Sequence, residues 1–169
     1  MSLTVTNKII KLNQFRENLN IRVNNKIGLV TGCFDLLHPG HVFLFKNAKE
    51  YCDILIVGLD SDLSITKTKG SKRPLYNFNH RSYVLSELIS IDYIFEIEFY
   101  ESFDNSNIEE THKNILNIIK PTFLFTNSKV DKYIKEKTKR IEGLNTKIID
   151  LINPFDFSST SLIKRFSNE

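Results

Sequence analysis

Residues 27–51 of the chain read IGLVTGCFDLLHPGHVFLFKNAKEY, and this stretch decides the fold. Its first part, Ile27–Thr31, is a short apolar run that is typical of a buried strand. Gly32–Gly40 contains turn-forming residues and predicts a loop, and His41–Tyr51 returns to apolar residues at helical spacing. The stretch therefore predicts a strand, a loop and a helix in succession, which is the opening half of a unit with parallel strands.

The remainder of the chain continues this alternation. Further strands are predicted at Asp53–Leu59, Ile91–Ile97, Phe123–Phe125 and Lys147–Leu151. Helices are predicted at residues 7–19, Asn79–Ser90, Asn107–Lys120, Asp131–Ile141 and Ser159–Phe166, and the polar stretch Ser61–Tyr76 predicts a loop. Continuous apolar strands between helices indicate a parallel sheet covered on both faces. We therefore predict an α/β fold: a single doubly wound, Rossmann-like domain with a parallel five-stranded sheet over residues 1–169, on which residues 1–20 pack as a helical extension.

Composition excludes several classes of protein. Of the 169 residues, 41% are hydrophobic and 25% charged, which is ordinary for a globular domain. The net charge of +3 is too small to predict a nucleic-acid partner. No apolar run approaches the roughly 20 residues that a membrane span needs, so no membrane partner is expected. Two cysteines do not make a disulfide framework, and a cytoplasmic location is expected.

Two histidines stand three positions apart across a Pro-Gly turn, between the first predicted strand and its helix. Both imidazoles, those of His38 and His41, are expected to face the same volume. The helix beginning there presents free N–H groups and the positive end of a dipole. Together these groups predict an anion site in which charge that develops on an attacked phosphate is stabilised. Zinc is a weaker interpretation, because third and fourth ligands at suitable spacing are lacking.

A basic stretch follows the second predicted strand. It contains Lys67, Lys69, Lys72 and Arg73, and Arg81 comes early in the next predicted helix. A basic run is often only a solvated surface, but here glycine and proline shape it into a loop beside the proposed anion site. Guanidinium groups grip phosphate with two hydrogen bonds and an ammonium group acts as a point charge. Lys69, Arg73 and Arg81 are therefore the candidate phosphate contacts.

Two further groups at strand or helix ends have both a functional and a structural interpretation. Asp60 follows the second strand, where a carboxylate suits a substrate hydroxyl, but Asp60 or Asp62 serves equally well as a helix cap. Ser159 and Thr160 begin the last predicted helix and form either an anion site or a plain N-cap. His112 has isoleucines at helical spacing around it and is interpreted as structural.

The string Gly-x-Phe-Asp-x-x-His-x-Gly-His, at Gly32–His41, resembles the signature of the cytidylyltransferase-like nucleotidyltransferase family. The Lys-Gly-x-x-Arg-Pro loop and the late Ser-Ser-Thr string resemble its phosphate-binding segments. The resemblance implies transfer of a nucleoside monophosphate from ATP or CTP to a phosphorylated sugar or polyol, with pyrophosphate released and Mg²⁺ bound through the phosphates. It implies catalytic roles for His38, His41 and Lys69, and substrate binding by Asp35 and Asp60. The nucleotide-binding residues that it implies are Gly32, Cys33, Phe34, Asp35, Gly40, Arg73, Arg81, Ser159 and Thr160.

Within the family, the chain looks most like the adenylyltransferases that act on heptose 1-phosphate, as in the biosynthesis of cell-envelope sugars. Glycerol-3-phosphate cytidylyltransferases are the alternative, although their late Arg-Thr-Glu-Gly-Ile-Ser-Thr pattern is absent. Both relatives carry a Gly/Asp-rich stretch after the fourth strand, where this chain has Thr126–Asp131 without glycine. The base and the acceptor therefore stay open, and so does a non-catalytic nucleotide-binding protein. A homodimer is expected.

Overall fold

The computed structural model describes residues 8–17, 24–98, 105–155 and 161–163. The strands are β1 (Ile27–Gly32), β2 (Ile54–Asp60), β3 (Tyr93–Ile97), β4 (Phe123–Thr126) and β5 (Lys147–Asp150). The helices are α1 (Gln14–Glu17), α2 (Pro39–Tyr51), α3 (Asp62–Lys69), α4 (Phe78–Ser86), α5 (Asn105–Ile119) and α6 (Ile134–Arg140). Residues 161–163 are also helical.

The five strands form one parallel sheet in the order β3-β2-β1-β4-β5, so the predicted fold is confirmed. The central strand β1 pairs with β2 from Ile27 opposite Ile54 to Gly32 opposite Leu59. The chain runs outward from β1 to β3 and then returns to continue on the other side with β4 and β5. The strand order therefore reverses between β1 and β4. In open sheets of this kind ligands bind in the crevice at that point, beyond the carboxyl ends of the strands.

Each face of the sheet is covered by a hydrophobic core. On one face Leu29 and Ile56 pack with Ile115 of α5 and with Phe15 of α1. On the other face the neighbouring residues of the same strands pack against α2 and α4, with contributions from Val30, Val57, Phe45 and Leu85. Because both faces are buried, the central strands β1 and β2 are almost entirely apolar instead of alternating with polar residues.

Helix α3, at Asp62–Lys69, lies within the stretch Ser61–Tyr76 that is expected to be rich in loops, so that expectation was wrong for these eight residues. The hydroxyl of Ser61 accepts a hydrogen bond from the amide of Ser64 and caps the first turn. Ile65 is fully buried and fixes the helix to the domain. Gly70, with φ of +95°, then ends it. The burial of Ile65 and the caps at Ser61 and Gly70 therefore stabilise a helix in a stretch whose polar composition favours a loop.

The N-terminal helix begins later than predicted. Ile9 forms a parallel bridge to Ile94 of the edge strand β3, and the amide of Ile10 donates to the carbonyl of Ile94 at 2.9 Å. These residues are extended because they satisfy the open edge of the sheet, and helix is present at Gln14–Glu17. No helix in the described parts of the chain is long and apolar enough to cross a membrane.

Candidate active site

The two histidines of the signature lie together at the beginning of α2. His38 is the N-cap residue, with φ of −142° and ψ of 168°, and its side chain makes no capping hydrogen bond. The imidazole rings of His38 and His41 stack with their centroids 3.7 Å apart and their planes 28° apart. Nδ1 of His38 is buried and has no hydrogen-bond partner among the described residues. The two rings therefore face one volume and retain a polar atom that a ligand can use.

Burial favours the neutral form of both imidazoles. Burial lowers the pKa of His38. Burial, followed by the electrostatic effects of the neighbouring His38 and Lys69, lowers the pKa of His41 to about 3. Phe34 adds apolar surroundings, since its ring meets that of His41 edge-on at 5.1 Å. A neutral imidazole still donates one N–H to a phosphate oxygen, and a bound anion would favour its protonation.

Gly40 is needed where the helix start meets the segment after β5. A Cβ atom at this position would lie 3.1 Å from Nδ2 of Asn153 and 3.1 Å from the ring of His38. Asn153 is buried, and its Oδ1 accepts a hydrogen bond from the amide of Phe155 at 2.9 Å. In the sequence Asn153 carries no signal of this role beyond its position after the fifth strand.

Asp35 fixes the basic loop to the exit of β1. Its carboxylate accepts hydrogen bonds from Nε of Arg73 at 2.6 Å and from the amides of Leu75 and Tyr76. Burial acts to raise the pKa of Asp35, but these amides and the Arg73 guanidinium outweigh it and hold the pKa below its usual range. Nη2 of Arg73 is buried without a hydrogen-bond partner among the described residues. Asp35 thus orients Arg73, and part of the guanidinium remains for an anion.

Arg81 was expected to contact phosphate, but its guanidinium group donates hydrogen bonds to the chain itself. Its side chain is completely buried, and it donates to the carbonyls of Tyr76, Cys33 and Asp60 at 2.6–2.9 Å. It also pairs with Asp62 at 2.7 Å. Since its donors are committed to the chain itself, Arg81 braces the strand ends beneath the site, and we leave it out of the proposed phosphate contacts.

Asp60 and Cys33 form a small polar cluster at the ends of β2 and β1. The thiol of Cys33 donates to Oδ2 of Asp60 at 3.1 Å. Burial, together with the charge of Asp60, raises the pKa of Cys33 to about 12, so the thiol is not an activated nucleophile. Burial also raises the pKa of Asp60, against the charge of Lys69. Lys69, the last residue of α3, lies close enough to affect the pKa of Asp60, of Cys33 and of His41.

The chain's own side chains do not supply a metal site in the described residues. No group of three or more His, Cys, Asp or Glu residues there is arranged to hold a metal ion. Magnesium bound through the phosphates stays a prediction. Ser159 and Thr160, expected at the nucleotide, lie outside the described residues.

A cavity of about 720 Å³ opens beside the histidine pair. Its walls are mainly apolar and include Leu37, His38, Pro39, Val42, Phe43 and Phe155. A second cavity, of about 390 Å³, lies between the end of β3 and α5 and contains neither histidine. The first cavity is therefore the one that belongs to the candidate active site.

A family model described as cytidylyltransferase-like matches residues 29–165. The bifunctional protein HldE of Nitrobacter hamburgensis is 34% identical over 142 residues, which are 83% of this chain and 27% of that protein. The bifunctional protein HldE of Campylobacter concisus is 32% identical over 165 residues, which are 95% of this chain and 31% of that protein. The chain thus spans less than a third of the length of these relatives.

Solved structures share the fold. The lipopolysaccharide core biosynthesis protein from Thermoplasma volcanium superposes with a TM-score of 0.58 at 24% identity, covering 78% of this chain and 99% of that one. Pantothenate synthetase from Thermus thermophilus superposes with a TM-score of 0.67 at 12% identity, covering 92% of this chain and 67% of that one. The family match extends over most of the chain and begins in β1, immediately before the histidine string. The chain therefore belongs to the cytidylyltransferase-like family of nucleotidyltransferases.

Proposed function

We propose that this chain transfers a nucleoside monophosphate from a nucleoside triphosphate to a phosphorylated small molecule and releases pyrophosphate. The observation that carries the proposal is the stacked pair His38 and His41 at the beginning of the 13-residue helix α2. A helix of this length presents its first amides and its positive dipole end to an anion. Arg73, oriented by Asp35, adds a buried guanidinium nitrogen without a protein partner among the described residues.

In the proposed reaction an oxygen of the acceptor phosphate attacks the α-phosphorus of the triphosphate in line. The new bond joins that oxygen to the α-phosphorus, while the bond from the α-phosphorus to the bridging oxygen breaks and its electron pair leaves with pyrophosphate. Catalysis then consists of positioning and charge stabilisation, without a covalent enzyme intermediate. His38, His41 and Lys69 stabilise the charge on the pentacoordinate phosphorus, and Arg73 holds the phosphates that leave.

The donor and the acceptor belong to the same proposal. We infer ATP as donor and a sugar phosphate of the heptose 1-phosphate type as acceptor, with the apolar cavity beside His38 receiving the base. The sequence resemblance to heptose 1-phosphate adenylyltransferases supports this assignment. So does the similarity to HldE proteins, which covers 83–95% of this chain in the two relatives described. Asp60, at the end of β2, is the candidate partner for a sugar hydroxyl.

A pyrophosphate-release assay tests the proposal. The purified chain is incubated with Mg²⁺ and each of the four nucleoside triphosphates, combined in turn with heptose 1-phosphate, other sugar 1-phosphates and glycerol 3-phosphate. We expect release with ATP and a heptose 1-phosphate. Release with CTP and glycerol 3-phosphate would replace the donor and acceptor assigned here. Binding of nucleotide that stays intact with every acceptor would contradict an enzymatic role altogether.

A further inference from the structure

A buried lysine lies at the crevice between β1 and β4, on an element to which the sequence analysis assigned no function. Nζ of Lys137, in α6, donates a 2.6 Å hydrogen bond to Oδ2 of Asp131. The same carboxylate oxygen accepts a 2.6 Å hydrogen bond from the hydroxyl of Thr126, the last residue of β4. Lys137 is 9% exposed and Thr126 is 3% exposed. The carboxylate of Asp131 thus fixes an ammonium group at the end of a strand.

Lys137 also lies beside the neighbouring strand β1. Lys137 lines a cavity of about 20 Å³ together with Thr31 of β1 and Leu124 of β4. Its charge acts on Asp60 and opposes the effect of burial on the pKa of that carboxyl. Lys69 acts on Asp60 in the same direction. Two lysines, one from α3 and one from α6, therefore act on the carboxylate at the end of β2, which pairs with the central strand β1.

The two groups of polar residues lie on opposite faces of the sheet. Helix α2, which carries the histidine pair, packs through Phe45 and Ala48 on the face that includes Val30. Lys137 lies with Leu29 and Leu124 on the other face. A ligand that contacts both the histidine pair and Lys137 must therefore pass over the end of β1. In-line displacement has this requirement, because the entering and leaving oxygens stand on opposite sides of the phosphorus.

Burying a lysine is unfavourable unless its charge has a partner, and apolar side chains of similar volume are often at least as stable in such a place. One of the three N–H groups of Nζ is used by Asp131 in the described part of the chain.

We propose that Lys137 binds the phosphate of the acceptor, across the end of β1 from the triphosphate, and that Asp131 is its positioning residue. The proposal rests on the proposed function. It assigns to α6 a contact with the acceptor phosphate, in addition to any contact made by the basic loop. The attacking oxygen then lies between Lys137 and Lys69, opposite the phosphates held beside His38.

Steady-state kinetics with ATP and the sugar phosphate that supports pyrophosphate release test this proposal. We expect Lys137→Met to raise the KM for the sugar phosphate by about 10- to 100-fold, the range for losing one hydrogen bond to a charged group. The KM for ATP should change less than about twofold. Lys137→Arg should restore much of the loss. Lys139→Met, on the exposed side of the same helix, is the matched control. A sugar-phosphate KM that equals that of the control, or a KM for ATP that rises equally, would overturn the assignment.

A binding measurement separates failure of this proposal from failure of the proposed function. Titration with inorganic phosphate, followed by the midpoint of thermal unfolding, needs no turnover. We expect phosphate to raise the midpoint of the native protein and of Lys139→Met, and to raise that of Lys137→Met much less. Asp131→Asn, which keeps a hydrogen-bond acceptor for Thr126, should show an intermediate response. An equal response in all four proteins would overturn an anion site at Lys137 even if the chain proves to be an active enzyme.

Discussion

Nε of Arg73 donates a 2.6 Å hydrogen bond to Oδ2 of Asp35, and the carboxylate is completely buried beneath the guanidinium. The two residues are 38 positions apart in the sequence. Their pairing joins the exit of β1 to the loop after α3. The carboxylate of this signature aspartate accepts hydrogen bonds from three donors of the chain, so it acts on the site at least through Arg73.

Replacing this aspartate should weaken both the fold and nucleotide binding. We expect Asp35→Asn to lower the free energy of unfolding by about 3–5 kcal/mol, because the guanidinium of Arg73 stays buried without its counter-charge. Urea unfolding measures this loss, and Glu142→Gln on the surface is the control. The KM for ATP should rise in parallel. A variant with native stability and native KM would show that Asp35 does not position Arg73.

The second histidine of the pair should matter for turnover more than for binding. We expect His41→Ala to lower kcat by about 10²–10³, by analogy with the removal of one oxyanion donor. His80→Ala, an exposed histidine in the first turn of α4, should retain native kcat. Single-turnover pyrophosphate release measures the effect. A loss of less than about tenfold would remove His41 from the catalytic groups.

Stability should fall in mild acid because buried histidines resist protonation. The pKa of His41 is lowered to about 3, mainly by burial. The pKa of His112 is lowered to about 4, by burial and then by the charges of Arg140 and Lys137. In the unfolded chain both rings take up protons near pH 6.5, while the native rings do not. The free energy of unfolding therefore decreases as the pH falls from about 6.5 towards these values.

Urea unfolding at pH 7.5, 6.0 and 5.0, without nucleotide, measures this dependence. His112→Asn removes one of these titrating groups and should reduce the difference in unfolding free energy between pH 7.5 and 5.0, whatever its effect at pH 7.5. An unchanged difference would mean that His112 does not resist protonation in the native state.

We expect the carboxylate of Asp60 to support activity while it lowers the thermal stability of the protein. Burial raises the pKa of this carboxyl. At a pH above the ordinary pKa of an aspartate, the carboxylate is therefore less stable in the native protein than in the unfolded chain. Asn has the same shape, and its oxygen can still accept from the thiol of Cys33. We expect Asp60→Asn to raise the midpoint of thermal unfolding by about 2–4 °C while lowering activity with the sugar phosphate. A lower midpoint would show that Lys69 and Lys137 require this negative charge for folding.

Much of the fold follows from local patterns. The apolar runs and helical spacings along the chain predict the parallel five-stranded sheet, because buried parallel strands must be apolar on both faces. Two local predictions, the loop after β2 and the helix at Ile9, fail because burial or strand pairing determines the structure at these positions. The polar stretch after β2 becomes helical because Ile65 is buried, and Ile9 extends because the edge of β3 is open.

The candidate site divides in the same way. The sequence by itself determined that two histidines stand at a helix start after the first strand, because turn residues and periodicity act between neighbours in the chain. Only the tertiary structure decided that Arg81 is a buried brace, that Asp35 holds Arg73, and that Lys137 reaches the crevice at the end of β1. The neighbours of a charged side chain in the sequence do not reveal its partner, because the partner lies on another element that comes close only when the sheet has formed. Burial and pairing in the folded chain then decide which hydrogen-bond donors of that side chain stay available to a ligand.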